Sequence, residues 1–190
     1  MANAIKMKLV KPQEAYDPTQ SRFFGAPAIP LWMELEIEED EVFLAQIRLS
    51  DIAQLDTENI LPHEGWLYFF IKAQDASAWT PKQAVVRYSK DEPGMIIDDF
   101  NEASPIPEGL NETWLIEFAP ATEEDDESGM KLLGDPYDWN YEDPAPILLL
   151  QYDPLESPVD FLGEMDGVAY FFAGKDMKTF TDAVWHAEYS

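Results

Sequence analysis

The chain has 190 residues, of which 46% are hydrophobic and 13% aromatic, and a formal net charge of −26. This length and apolar content predict a packed globular protein rather than a disordered acidic chain. The lack of cysteine excludes disulfides, thiolate nucleophiles and cysteine metal sites. No apolar stretch is long enough for a signal peptide or a membrane span, so we expect a cytoplasmic protein.

A net charge of this size determines which partners the chain can attract. It repels nucleic-acid phosphates and anionic membranes, and the sequence has no basic patch that would offset the repulsion. It attracts basic proteins and raises the rate at which they are encountered. The alternative is that the acidity serves solubility alone.

Strand patterns follow one another along most of the chain. Residues 33–38 alternate apolar and acidic side chains, which predicts a strand with one face in water. Further predicted strands are 43–49, 66–71, 84–88, 113–118, 147–152, 168–173 and 183–189. Short helices are predicted at 51–55, after a Ser50 cap, and at 176–180, because fifteen prolines leave little room for longer ones.

Two stretches of the sequence resemble each other. FLAQIRLSDI precedes GWLYFFI, and LLLQYDPLES precedes GVAYFFAGKD; each pair has a glutamine in an apolar run and then a glycine before an aromatic strand. We therefore predict a β-rich fold made of internally duplicated antiparallel sheet units with few short helices. The single domain, 1–190, would contain pseudo-repeats at about 21–118 and 130–190, joined by an acidic linker at 119–129.

These motifs, together with SRFFGAPAIP, LPHEGWLYFF, KLLGDPYDWN and the tail DAVWHAEYS, resemble the YwqG-like family of bacterial domains of unknown function. The resemblance runs from about Ser21 to the end of the chain. It implies a duplicated, β-rich α+β fold and no established activity. Members occur near loci of secreted polymorphic toxins, and that association implies an antitoxin-like or immunity role.

The residues give little support for catalysis. His63 and His186 lie outside any spacing that would place two ligands on one metal, and we interpret both as structural. Neither a nucleophile elbow nor a glycine-rich phosphate loop is present. Adjacent carboxylates such as Asp98 and Asp99 do not follow a calcium-loop pattern. We therefore predict no enzyme activity, no catalytic or metal-binding residues and no cofactor.

Gln46 and Gln151, the glutamines of the two similar stretches, have two interpretations. They could line a polar pocket at equivalent places, or their amides could hydrogen-bond the backbone of neighbouring loops. We favour the second, since a buried amide must be satisfied. The aromatic triplets 68–70 and 170–172 are predicted to be core, with alternate residues on opposite faces of the sheet.

The loop at 135–146 combines aromatic side chains with carboxylates between prolines. Tyrosine and tryptophan are favoured in binding hot spots, and carboxylates at the rim steer a basic partner. The alternative is that Tyr137 and Trp139 fold back as a lid over the core. The predicted partner-binding residues are Asp135, Tyr137, Asp138, Trp139, Tyr141, Glu142, Asp143, Asp98 and Asp99.

Our first functional hypothesis is a non-enzymatic acidic interaction protein, in particular an immunity protein that neutralises a basic toxin domain such as a nuclease. The alternative is a small-molecule or carbohydrate-binding module, with or without hydrolytic activity, whose site lies in a cleft between the repeats. A third hypothesis is a housekeeping protein whose acidity serves solubility. The oligomeric state is left open.

Overall fold

The computed structural model describes residues 4–75, 78–101, 109–122, 128–137, 146–159 and 167–189, with the backbone alone at 73–75, 78–82 and 189. The strands are β1 (Ile5–Val10), β2 (Arg22–Phe23), β3 (Ala28–Ile29), β4 (Glu41–Arg48), β5 (Trp66–Asp75), β6 (Ala78–Ser89), β7 (Met95–Ile96), β8 (Trp114–Pro120), β9 (Lys131–Leu132), β10 (Leu148–Tyr152), β11 (Gly167–Phe172) and β12 (Val184–Tyr189). Three short 3-10 helices are Met33–Glu36, Leu49–Asp51 and Pro154–Glu156.

Ten of these strands form one antiparallel sheet. Its order is β12-β11-β10-β9-β1-β8-β2-β4-β5-β6, and β3 pairs separately with β7. The sheet curves so far that its two edge strands, β6 and β12, come into contact. It is therefore nearly closed.

If the chain is divided just before β8, which differs from the predicted repeat boundaries, the first strand of each half pairs with the other half. β1 pairs with β9, β8 pairs with β2, and β1 and β8 pair with each other along Ile5–Val10. Lys8 and Glu117 are directly opposite each other within this pair, and their side chains form an ion pair at 3.7 Å. Both halves therefore contribute to one continuous sheet.

The predicted α+β fold with duplicated sheet units is wrong. Helical structure in the described residues is limited to the three 3-10 helices, and the strands that the prediction divided between two units belong to one sheet. The physical reason is the exchange of β1 and β8, which pairs strand edges that two separate units would leave open. The predicted repeat boundaries stay a prediction, and residues 123–127 of the predicted linker lie outside the described residues.

The interior of the curved sheet is an apolar core built from both halves. Phe69 of β5 meets Phe171 of β11 edge to face, with ring centroids 5.3 Å apart. The neighbouring Tyr68 and Tyr170 point to the outer face, where each belongs to a smaller apolar cluster. This alternation, with every one of these rings buried, confirms the prediction for both aromatic triplets.

Three local predictions are wrong, although the other predicted strands are present. Residues 33–38 contain a 3-10 helix instead of a strand, with Met33 buried and Leu35 89% exposed. The helix predicted at 51–55 is a series of turns that follows a 3-10 helix, and the helix predicted at 176–180 is a turn. Segments of this length do not gain enough hydrogen bonds to offset the cost of helix nucleation.

Candidate functional site

A row of four polar side chains crosses the sheet on its outer face. Arg22 in β2, Gln46 in β4, Tyr68 in β5 and Arg87 in β6 are directly opposite one another in register. Opposite residues of antiparallel strands place their side chains on the same face. We call these four residues the first row.

The same pattern occurs at a second place in the sheet. Lys131 in β9, Gln151 in β10, Tyr170 in β11 and His186 in β12 are likewise directly opposite one another. We call these four residues the second row. Each row contains, in order, a cation, a glutamine, a tyrosine and a basic side chain.

The glutamine of the first row holds two loops against the sheet. Gln46 is fully buried. Its Oε1 accepts a hydrogen bond from the backbone N–H of Ala28 at 3.0 Å. Its Nε2 donates to the carbonyl oxygens of Pro18 at 2.9 Å and Gln20 at 3.0 Å. The amide therefore connects the segment before β2 with the segment after it.

Gln151 of the second row, also fully buried, makes equivalent contacts. Its Oε1 accepts from the backbone N–H of Tyr137 at 2.9 Å, and its Nε2 donates to the carbonyl of Gly129 at 2.9 Å. These bonds, together with those of Gln46, confirm the interpretation of both glutamines as anchors for neighbouring loops.

The cation of each row hydrogen-bonds a carbonyl four residues further along the chain. Arg22 Nη2 donates to the carbonyl of Ala26, and Lys131 Nζ donates to the carbonyl of Asp135. The chain turns back because the second and third residues after each cation have left-handed backbone conformations. Their φ angles are 57° at Phe24, 71° at Gly25, 56° at Leu133 and 79° at Gly134. RFFGAP and KLLGDP therefore encode the same turn.

The rows differ in how their tyrosines are satisfied. Tyr170 Oη donates to the carbonyl of Tyr137 at 2.9 Å. Tyr68 Oη is fully buried and has no hydrogen-bond partner within the described part of the chain. Burial raises the pKa of Tyr68 well above its ordinary value, and the Arg22 guanidinium offsets this only in part. The Tyr68 phenol therefore keeps its proton at neutral pH.

Replacing each tyrosine with phenylalanine tests this difference. We expect Tyr170→Phe to lower the free energy of unfolding by about 1 kcal/mol, because the Tyr137 carbonyl loses its donor. Tyr68→Phe should change it by less than about 0.5 kcal/mol, because no hydrogen bond to a described residue is lost. Urea denaturation of the two variants measures both values. Equal losses would contradict the asymmetry between the rows.

The residues predicted to bind a partner lie in two described places. Asp98 and Asp99 are exposed just after β7, and Asp135 and Tyr137 are exposed after β9. The other predicted residues, Asp138, Trp139, Tyr141, Glu142 and Asp143, lie outside the described residues. The backbone of Tyr137 hydrogen-bonds Gln151 and Tyr170 of the second row, while its side chain is 45% exposed. Both the hot-spot and the lid interpretation of this loop stay predictions.

Four large apolar side chains on or beside the first 3-10 helix and β7 are exposed, which sequence reasoning missed. Leu31 is 66% exposed, Trp32 38%, Leu35 89% and Ile96 44%. We call these four side chains the apolar patch. Leu31 packs close to Gly94, the residue just before β7. A Cβ atom added at Gly94 would lie 3.3 Å from Leu31 Cγ.

The layer that carries the apolar patch is fixed to the sheet from beneath. Ile29 and Met33 are fully buried against the outer aromatic cluster. Trp32 Nε1 donates to Asp91 Oδ2 at 3.1 Å. The patch was missed because the strand predicted at 33–38 placed Leu35 on the same face as Met33, which the 3-10 helix does not.

The exposed charge of the described surface is predominantly negative. Exposed carboxylates close to the patch residues in sequence include Glu34, Glu36, Glu39, Glu92, Asp98 and Asp99. Cations paired with carboxylates are Lys8, Lys11, Arg48, Lys72, Arg87 and Lys90. Arg22 and Lys131 are buried. A surface of this kind generates a negative potential that attracts basic partners.

Both histidines lie near carboxylates. His63 Nε2 is 3.5 Å from Asp56 Oδ2, and His186 Nε2 is 3.5 Å from Glu188 Oε1. The His186 ring also lies 5.9 Å from that of Tyr170. Within the described ranges, no group of three or more His, Cys, Asp or Glu side chains is placed to hold a metal ion.

Comparison with protein-family models gives a match. The model of a family described as "Domain of unknown function (DUF1963)" matches residues 21–131, which is more than half of the chain. The matched segment begins one residue before Arg22 and ends at Lys131, so it reaches from the first row to the first residue of the second. No curated protein matches the chain. No helix in the described residues is both long and apolar enough to cross a membrane.

Proposed function

Because the chain belongs to the family described as a domain of unknown function (DUF1963), we propose a function from its own surface: a non-enzymatic acidic interaction protein that neutralises a basic partner. In its specific form the proposal is an immunity protein for a toxin domain such as a nuclease. It includes the assignment of the chain as YwqG-like, on the motifs quoted above, and an action in the cytoplasm.

The apolar patch is the observation that supports this proposal most strongly. Large apolar side chains grouped at the surface and surrounded by polar residues are typical of protein interaction sites. Trp32 is of the residue type that is enriched in binding hot spots, and Leu35, at 89% exposed, offers apolar area that a partner can bury. Met33 anchors the same 3-10 helix in the outer cluster, so the patch is presented on a fixed layer.

Charge indicates that the partner is basic. The patch lies on a layer rich in exposed carboxylates, and the exposed Asp98 and Asp99 lie two and three residues after the end of β7. Such carboxylates steer a cationic protein toward the patch and accelerate association at low salt. The phosphate-binding surface of a nuclease domain is basic because it must attract nucleic acid. An acidic protein that covers it would block the substrate.

The alternative of a ligand cleft between the repeats stays a prediction. β1 and β8 are paired along Ile5–Val10 across the middle of the sheet. A ligand at this seam would therefore lie on a sheet surface instead of between two bodies. The apolar patch does not require a cleft between two bodies to bind a partner. We therefore prefer protein binding to the ligand cleft.

A pull-down from the native cells identifies the partner. The tagged full chain is immobilised, washed at low and at moderate salt, and the retained proteins are identified by mass spectrometry. We expect one basic protein to be retained at low salt, and its expression alone to arrest growth that co-expression of this chain restores. Retention of acidic or neutral proteins only, or growth arrest that co-expression does not relieve, would contradict the immunity role.

Association kinetics with the retained protein test the surface. We expect Leu35→Ser to weaken binding about tenfold, because a buried apolar contact is lost, and the association rate to fall steeply with salt. Leu155→Ser is the matched control, since Leu155 is 91% exposed on another 3-10 helix. If both variants weaken binding equally, or if salt has no effect on association, the apolar patch is not the binding surface.

A further inference from the structure

Arg22 is a buried cation with an unused donor. Its side chain belongs to a residue that is 1% exposed. Nη1 donates to Tyr16 Oη at 3.3 Å, and Nη2 donates to the carbonyl of Ala26. Nε has no acceptor among the described residues. The two hydrogen bonds of this buried guanidinium go to a hydroxyl and a carbonyl, and its Nε–H is unpaired. Asp17 interacts with it electrostatically, but no carboxylate of the described residues hydrogen-bonds it, as a buried charge normally requires.

Tyr68 provides a second unused donor on the same face. Its Oη is also fully buried and unpaired in the described structure. Arg22 and Tyr68 interact electrostatically. They lie on β2 and β5, with only β4 between these strands in the sheet, so their backbones are about 10 Å apart. The two side chains therefore lie on the same face of the sheet, on either side of Gln46.

The second row shows that this sheet framework does not by itself leave such groups unpaired. Lys131 donates to the carbonyl of Asp135, and Tyr170 donates to the carbonyl of Tyr137. The cation and the tyrosine thus have carbonyl acceptors in the segment that follows β9. The unpaired donors are a property of the first row and of the side chains that the sequence places there.

We propose that Arg22 Nε and Tyr68 Oη bind the carboxylate group of a small organic acid. Two N–H or O–H donors beside a full positive charge match an oxyanion, and hydrogen bonds in which one or both partners are ionised are the stronger ones. The segment that Gln46 anchors through the carbonyls of Pro18 and Gln20 covers this face. The ligand is therefore small and enclosed. This site does not depend on the proposed binding of a basic protein.

Thermal unfolding with two different anions tests the site. The full chain is unfolded and refolded at pH 7 in one common buffer that contains either sodium acetate or, at equal ionic strength, the bulky sulfonate MES. Refolding in the presence of the anion allows it to enter an enclosed site. A ligand that binds only the folded state raises the Tm as its concentration increases. We expect acetate to raise the Tm by about 5 °C over MES at a hundredfold excess over the dissociation constant.

Three variants distinguish the site from a general effect of acetate. Arg22→Lys keeps the charge and loses Nε, and Lys131 shows that lysine at this position of the turn reaches the equivalent carbonyl. Tyr68→Phe loses the other donor. Both should lose the acetate-specific rise in Tm, whereas Tyr170→Phe should keep it. An equal response in all variants, or no rise in the unmodified chain, would overturn the proposal; Tyr68→Phe decides if Arg22→Lys does not fold.

Discussion

Gln46→Leu is expected to lower the free energy of unfolding by about 3 kcal/mol. The Gln46 amide satisfies three backbone groups, the N–H of Ala28 and the carbonyls of Pro18 and Gln20. Leucine fills a similar volume without hydrogen bonding, and each backbone group left unpaired in the interior costs about 1–3 kcal/mol. The loss is large against the total of about 5–15 kcal/mol that stabilises a typical domain.

Urea denaturation of Gln46→Leu measures this loss, with Gln54→Leu as the matched control. Gln54 is exposed, so its replacement should change stability by less than about 0.5 kcal/mol. Amide exchange at Ala28 should accelerate more than exchange in β11, because the anchor of the first row alone has been removed. A loss below about 1 kcal/mol would show that water replaces the amide.

The aromatic strands could be predicted because their period-two pattern corresponds to two apolar environments. Phe69 and Phe171 point into the core, while their neighbours fill the outer clusters. The strand predicted at 33–38 is wrong because an alternating pattern shows which residues share a face, but not whether another layer packs on that face. Met33 packs against the sheet, whereas Leu35 is left in solvent on a 3-10 helix.

Strand pairing could not be predicted from the same patterns. Periodicity says which residues share a face and not which strand lies alongside. The exchange that pairs β1 with β9 and β8 with β2 depends on closing a sheet made by both halves. The strand signal of β1, the alternation of Ile5, Lys6, Met7 and Lys8, was available and was missed.

The two rows were predictable in part. The glutamines were found from the similar stretches, and the cations carry a signal of their own, because RFFGAP and KLLGDP share a cation, two apolar residues, a glycine and a proline in the same positions. The unpaired donors of Arg22 and Tyr68 could not be found from sequence. Whether a donor has a partner depends on where loop carbonyls lie in three dimensions.

Glu41→Gln is expected to lower the free energy of unfolding by about 3 kcal/mol, because removing one member of a buried ion pair leaves the other uncompensated. Glu41 receives two hydrogen bonds from Arg87, at 2.6 Å and 2.9 Å. The side chains are 1% and 11% exposed. Arg87 also lies over the Phe70 ring at 5.1 Å, where its unpaired charge would be poorly solvated.

A double-mutant cycle separates the pair from its surroundings. Glu41→Leu with Arg87→Met should recover much of the stability that either single change loses, since no charge is then left buried. Glu112→Gln breaks the exposed pair with Lys11 and should cost less than about 1 kcal/mol. Additive losses in the double variant would show that the two charges act independently.

The same ion pair links the sheet to the apolar patch. Arg87 Nη2 donates to the carbonyl of Glu36, at the end of the 3-10 helix that carries Leu35. When Glu41 no longer holds Arg87, that bond should weaken and the patch should become mobile. Glu41→Gln should therefore weaken binding of the basic partner even at temperatures where the variant is fully folded. Unchanged affinity under those conditions would show that the patch keeps its position without Arg87.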